Sequence, residues 1–106
     1  MAHISIQSIK LIDEQIIILF ENTWFQEDII ALRQALFDQI PNHYIKEIID
    51  GADREAIRFL WFKSAFILNF DYYSQSCWIS AQDDISTSNI SPLFNLLTQN
   101  EPYHVR

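Results

Sequence analysis

Hydrophobic and polar residues alternate along much of this chain with the period of a strand, most cleanly between Ala56 and Ala81. That stretch, AIRFLWFKSAFILNFDYYSQSCWISA, divides into three strands joined by tight turns at Lys63-Ser64 and Ser74-Gln75. Successive side chains on a strand point to opposite faces. One face collects Ile57, Phe59, Trp61, Phe66, Leu68, Phe70, Tyr72, Cys77, Ile79 and Ala81, and it reads as a core. The other collects Arg58, Leu60, Phe62, Ile67, Asn69, Asp71, Tyr73, Ser76, Trp78 and Ser80. That second set is either a solvated back or a working surface.

The remaining elements follow from the same periodicities. Ile4 to Ile12 and Gln15 to Phe20 predict a hairpin turning at Asp13-Glu14, rich in β-branched residues. Its apolar phase slips near Ser8, a shift that one β-bulge absorbs. Thr23 followed by Gln26 predicts a capping box, with Glu27 and Asp28 in the first helical turn where the helix dipole favours acids. Phe25, Ile29, Leu32, Leu36 and Ile40 then form an apolar helical stripe, which Pro41 stops. Tyr44 to Ile49 predicts a strand whose phase is blurred by Ile48 and Ile49 together. Gly51, the only glycine, follows in Asp50-Gly51-Ala52-Asp53-Arg54, and a turn needing positive φ is the natural use for it. After a polar loop from Gln82 to Asn89, Ser91-Pro92 offers an N-cap with proline at the first helical position. Leu93, Leu96 and Leu97 give the stripe of a short second helix. Residues 100–106 read as a loose tail.

The predicted order is β-β-α-β-β-β-β-α. It implies an α+β two-layer sandwich, a mainly antiparallel sheet of about six strands with two helices on one face. At 106 residues the chain is a single domain, 1–106, with no internal repeat or linker.

Composition narrows the function classes. The 49% hydrophobic and 20% charged shares are globular, and no apolar run reaches the roughly 20 residues of a membrane helix. The segment MAHISIQSIK has no signal-peptide core, so a soluble cytoplasmic protein with no membrane partner is expected. Fourteen acids against seven bases give a formal charge of −7, and the bases are scattered. Nucleic-acid binding, which needs clustered Lys and Arg, is therefore not expected. A basic protein partner is compatible with the charge, although acidity most simply serves solubility.

Direct searches for catalytic chemistry find nothing. One glycine excludes both the phosphate loop and the dinucleotide fingerprint. His3, His43 and His104 lie far apart in sequence and Cys77 is the only cysteine, so no metal, disulfide or cofactor is expected. Cys77 falls on the core face, as a small buried hydrophobe.

Two clusters remain as candidates. Asp50, Gly51, Asp53 and Arg54, with Glu55, could chelate a cation or recruit a base, but an Asx-type turn with a local ion pair explains the same residues. The second cluster comes from strand register. Two-residue loops at the predicted turns set Arg58 opposite Asn69, Asp71 opposite Trp78, and Asn69 opposite Ser80. Arg58 and Asp71 then meet diagonally. The outcome is a polar knot of Arg58, Asn69, Asp71 and Ser80, rimmed by Leu60, Phe62, Ile67, Tyr73 and Trp78.

The stretch Gly51-Ala52-Asp53-Arg54, followed by Leu68 to Trp78 (LNFDYYSQSCW), resembles a family of small bacterial proteins described as a domain of unknown function. The likeness covers the middle third of the chain. It implies a small cytoplasmic bacterial protein and brings no activity, cofactor or catalytic residue with it.

Both predicted helices are needed over the core face, so nothing remains to cover Leu60, Phe62, Ile67 and Trp78 unless the second helix or the tail folds across them or Lys and Arg stems shield them. An uncovered patch of that size is more than monomers usually carry. The leading expectation is therefore a non-enzymatic domain acting by association through this face, as a homodimer or with a protein partner. The alternative is a small-ligand site or enzyme, with Arg58 holding an anion, Asp71 as acid or base and Trp78 as a stacking surface.

Overall fold

Six strands form one antiparallel sheet in the computed structural model, which describes residues 5–99. The strands are β1 (Ile6–Ile12), β2 (Gln15–Phe20), β3 (His43–Asp50), β4 (Arg54–Trp61), β5 (Ser64–Asp71) and β6 (Ser76–Ala81). Their spatial order is β1-β2-β6-β5-β4-β3. The helices are α1 (Ile29–Phe37), entered through a 3-10 turn at Gln26–Asp28, then α2 (Asp84–Thr87) and α3 (Ile90–Gln99). The fold is an α+β sandwich. The expected tail at 100–106, the strand start at Ile4, and His3 and His104 lie outside the described residues.

The helices bury their apolar faces in one cluster with one face of the sheet. Ile29, Leu32, Leu36 and Phe37 of α1 and Ile90, Leu93 and Leu97 of α3 join Ile9, Ile16, Ile18, Ile57, Phe59, Phe66, Leu68, Phe70, Cys77 and Ile79. Phe37 meets Phe59 edge-on at 4.9 Å between ring centroids. Strand β5, in the middle of the sheet, alternates without a fault: Ser64, Phe66, Leu68 and Phe70 are buried and their neighbours half-buried. Cys77 is buried as expected, and burial pushes its thiol well above the usual cysteine range. Among the described residues no helix is long and apolar enough to cross a membrane.

Several local readings change. The expected bulge in the first hairpin is present between Ile6 and Ser8, and the Asp13-Glu14 turn has both residues at positive φ (51° and 62°), the geometry that matches hairpin twist. The Thr23–Gln26 capping box does not form. Instead the Asp28 carboxylate accepts the Phe25 N–H at 2.8 Å. Phe25 is 50% exposed, and the adjacent Trp24, 3% exposed, takes the core position against Phe70 and Tyr72. The helix ends at Phe37 rather than at Ile40, which is nonetheless buried just ahead of Pro41. The expected polar loop contains α2, capped by the Asp83 carboxylate accepting the Ser86 N–H at 2.7 Å. Helix α3 begins at Ile90, before the Ser91-Pro92 start read from the sequence.

The turns of the meander also move. Trp61 pairs with Ser64, so the tight turn is Phe62-Lys63, with Phe62 at φ 57°. Asp71 pairs with Ser76, so a four-residue loop, Tyr72 to Gln75, replaces the expected Ser74-Gln75 turn. That loop is held by Gln75, whose amide donates to the Trp24 and Tyr72 carbonyls at 2.9 and 3.0 Å and accepts the Trp24 N–H at 3.0 Å. Each register shift is two residues between facing strands, so every side chain that stays within a strand keeps its predicted face while its neighbours change.

The open face of the sheet

The second face survives as a set, but its partners are new. Cross-strand pairing runs Lys10, Ile17, Trp78, Asn69, Ala56 and Ile49 in one row over all six strands. A second row runs Ser80, Ile67, Arg58 and Glu47, and a third Ser76, Asp71 and Arg54. Leu60 pairs with Tyr44 and with Ala65. No residue of these rows belongs to the helix-covered core, and Leu60, Ile67, Asn69, Trp78 and Ser80 are half-buried by one another.

The predicted polar knot does not form. Arg58 faces Ile67 instead of Asn69, and its guanidinium donates to Glu47 on the neighbouring β3 at 2.7 Å. Asp71 faces Ser76 instead of Trp78 and pairs with Arg54 at 3.4 Å. Asn69 faces Trp78, donating to the Ile67 and Trp78 carbonyls at 3.3 and 3.4 Å, while Ser80 faces Ile67. Arg58 and Asp71 therefore belong to separate ion pairs, which removes the proposed anion clamp with an adjacent acid or base. Two rim residues leave the face altogether. Phe62 sits exposed in the β4–β5 turn against Trp61, and Tyr73 is exposed in the β5–β6 loop, its N–H donating to Asp71 at 3.2 Å.

The turn cluster joins this face instead of standing apart. A shallow cavity of about 260 Å³ has Ala56 and Asn69 as its floor, Ile49 and Trp78 as walls, and Asp50, Gly51 and Arg54 at its rim. It exists because Ala56 and Asn69 are short between two large neighbours in the same row. Arg54 and Asn69 are the polar side chains on its side of the sheet, and Arg54 is 78% exposed and already paired with Asp71. Asp53 turns the chain, its carbonyl accepting the Tyr72 N–H at 2.8 Å. Among the described residues no group of His, Cys, Asp and Glu is placed to hold a metal ion.

Gly51 is not at positive φ, contrary to expectation. Its N–H donates to the Arg54 carbonyl at 2.7 Å, and an added Cβ would lie 3.0 Å from that same backbone oxygen. Close approach, not a left-handed backbone, accounts for glycine there. Gly51→Ala should cost about 1–3 kcal/mol by forcing the turn open. Urea unfolding checks this, and a loss of a few tenths would mean the turn has room.

On the helix-covered side of the same turn, Asp50 faces Glu55, and Glu55 is held by Arg33 from α1. Burial raises the Glu55 carboxyl above the ordinary glutamate value and Asp50 adds to the rise, while the Arg33 guanidinium opposes it. Charge on the open face itself is nearly balanced. Its strand positions carry Lys10, Arg54 and Arg58 against Glu47 and Asp71, in a chain whose formal charge is −7.

Residues the meander alone could not supply complete the face: Ile17 and Lys10 from the first hairpin, and Tyr44, Glu47 and Ile49 from β3. The alternation of β2 carries the signal for Ile17, but only once β2 is known to lie beside β6. Neither the curated proteins nor the solved structures contain a match to this chain. A family described as a protein of unknown function, DUF3630, matches residues 6–98, which spans every strand and nearly all of the helical residues described above. The chain belongs to the DUF3630 family.

Proposed function

We propose that this protein is a non-enzymatic domain that acts by association, a second copy of the chain covering the open face of its sheet. One observation carries the reading. Among the described residues, α1 and α3 share the core with the opposite face, while the row from Ile17 through Trp78 to Ile49, with Leu60, Ile67 and Tyr44 beside it, lies outside that core. Aromatic and aliphatic residues around an arginine suit the centre of an interface. The near balance of charge supports a second copy over a basic partner, because the acidity that would attract a base lies away from this face. The overall −7 then acts mainly through longer-range repulsion, which salt screens. Salt should therefore strengthen the self-association slightly, whereas a basic partner would be lost as salt rises.

The same reading places the protein in the bacterial cytoplasm, in line with its single cysteine and with the resemblance noted above. The cavity beside Trp78 belongs to the interface in this view, and the ligand-site alternative is weaker for having lost its Arg58–Asp71 pair.

Trp78→Asp places a charge in the middle of the apolar row. Sedimentation equilibrium should find wild type associated at high concentration and the variant reduced in mass, with unchanged circular dichroism. A wild type that stays monomeric at the highest concentration would sink the proposal.

A further inference from the structure

The two edges of the sheet are built differently. At one edge, β1 packs beside α3. At the other, β3 is eight residues long, with every residue after His43 exposed. It presents apolar side chains on both faces of the sheet, with Tyr44 65% and Ile49 47% exposed on the open face and Ile45 36% and Ile48 40% exposed on the helix face. A long apolar edge strand is a ready template for another strand.

The bulge at Lys46 gives this edge a symmetry. Side chains alternate, so Tyr44 and Ile49 would fall on opposite faces of a regular strand. Because Ile45 pairs with Phe59 and Glu47 already with Arg58, Lys46 is an extra residue, and the alternation is reset. Reading outward from the Lys46–Glu47 bond, Ile45 and Ile48 lie on the helix face. Tyr44 and Ile49 come next, on the open face, and then His43 and Asp50 on the helix face. The strand is symmetric about its own midpoint.

We propose that two copies of the chain join through β3, antiparallel about a twofold axis at the Lys46–Glu47 bond, forming one continuous sheet. In that register Lys46 of each copy faces Glu47 of the other, Ile45 faces Ile48, Tyr44 faces Ile49 and His43 faces Asp50. The three pairs outside the bulge each share a face, and all four are of a favoured kind: opposite charge, aliphatic with aliphatic, aromatic with β-branched, imidazole with carboxylate. Neighbouring registers fail. A slip of one residue sets Lys46 against Lys46 or Glu47 against Glu47, and a slip of two sets Ile45 against Lys46 or against Asp50. Glu47 keeps its bond to Arg58, since a carboxylate accepts from two cations. This contact is isologous and closed; it shares Ile49, the last residue of the Trp78 row, with the open face but leaves Trp78, Asn69 and Ile17 untouched. It leaves the open faces of both copies on the same side.

The test is a pair of charge reversals read by sedimentation. Lys46→Glu leaves Arg58–Glu47 intact and sets acid against acid twice across the axis. Glu47→Lys does the same with bases. Each alone should raise the dimer dissociation constant on the order of tenfold or more. Mixing the two variants should restore a dimer containing one of each. Trp78→Asp separates this contact from the open-face one. A dimer lost with Trp78→Asp and untouched by Lys46→Glu overturns the edge proposal, while a wild-type tetramer that either substitution reduces to a dimer supports it. Should Glu47→Lys fail to fold, amide hydrogen exchange in wild type decides the matter. Exchange in β3 should slow as protein concentration rises, and concentration-independent exchange there overturns the proposal.

Discussion

Trp24→Ala should lower the unfolding free energy by about 3–5 kcal/mol, whereas Phe25→Ala should cost less than about 1 kcal/mol. The two residues are adjacent and both large. Trp24 is buried between Phe70, edge-on at 5.6 Å, and Tyr72 at 6.3 Å, and its backbone is bonded by Gln75 at the β5–β6 loop. Phe25 lies half in solvent against Tyr72. Loss of Trp24 empties a site closed by strands, loop and helix entry together, where little can collapse into the void. Urea unfolding of the two variants side by side checks the assignment. If Phe25→Ala proved the costlier, the chain would enter α1 one residue out of the phase described.

That pair also marks where sequence reasoning stops. The stripe Ile29, Leu32, Leu36 and Ile40 was legible because spacings of three and four residues leave one choice of face. At its N-terminal end two bulky aromatics stand side by side, and periodicity prefers Phe25 on spacing alone. What decides otherwise is the entry turn, where Asp28 caps Phe25 and swings Trp24 inward. The meander shows the same division of labour. Alternation assigned every strand residue from Ile57 to Ala81 to its correct face, because a turn misplaced by one residue shifts the pairing by two and preserves parity. Neighbours within a face carry no such protection. The predicted Arg58–Asn69–Asp71–Ser80 knot depended on where Phe62-Lys63 and Tyr72–Gln75 turn, and neither turn holds a glycine to mark it.

The candidate face was legible as a composition and illegible as an arrangement, since the partners of Arg58 and Trp78 come from β3 and β2. Strand β2 is distant in sequence from β6, and in β3 the bulge at Lys46, which sets Glu47 opposite Arg58, is not marked by the local pattern. Gly51 stands out in the sequence by its uniqueness, but its φ is not positive. A glycine can be required by a neighbouring carbonyl as well as by a positive φ, and sequence cannot separate the two.

The Arg33–Glu55–Asp50 group supplies the second large effect, and its sign depends on pH. Arg33 and Glu55 side chains are 18% and 11% exposed, so removing the guanidinium leaves a shielded carboxylate beside Asp50 with no cation. Arg33→Met keeps the apolar stem and should cost about 2–3 kcal/mol near neutral pH. In wild type the Glu55 carboxyl already sits above its ordinary value. The folded state thus binds a proton more readily than the unfolded one, and the contribution of Glu55 to stability is fullest in acid and is lost as pH rises through the folded value. Arg33 opposes that rise, so deleting it moves the carboxyl higher still and deepens the loss at neutral pH. Below the ordinary glutamate value the group is protonated in both states, and the cost of Arg33→Met should shrink to that of lost packing. Urea unfolding at about pH 7.5 and about pH 4 measures the difference. In a Glu55→Gln background the pH dependence of the Arg33→Met cost should shrink sharply, because the carboxyl bonded to Arg33 is gone. A cost that stayed constant across that range with Glu55 present would show that Arg33 holds α1 by packing alone.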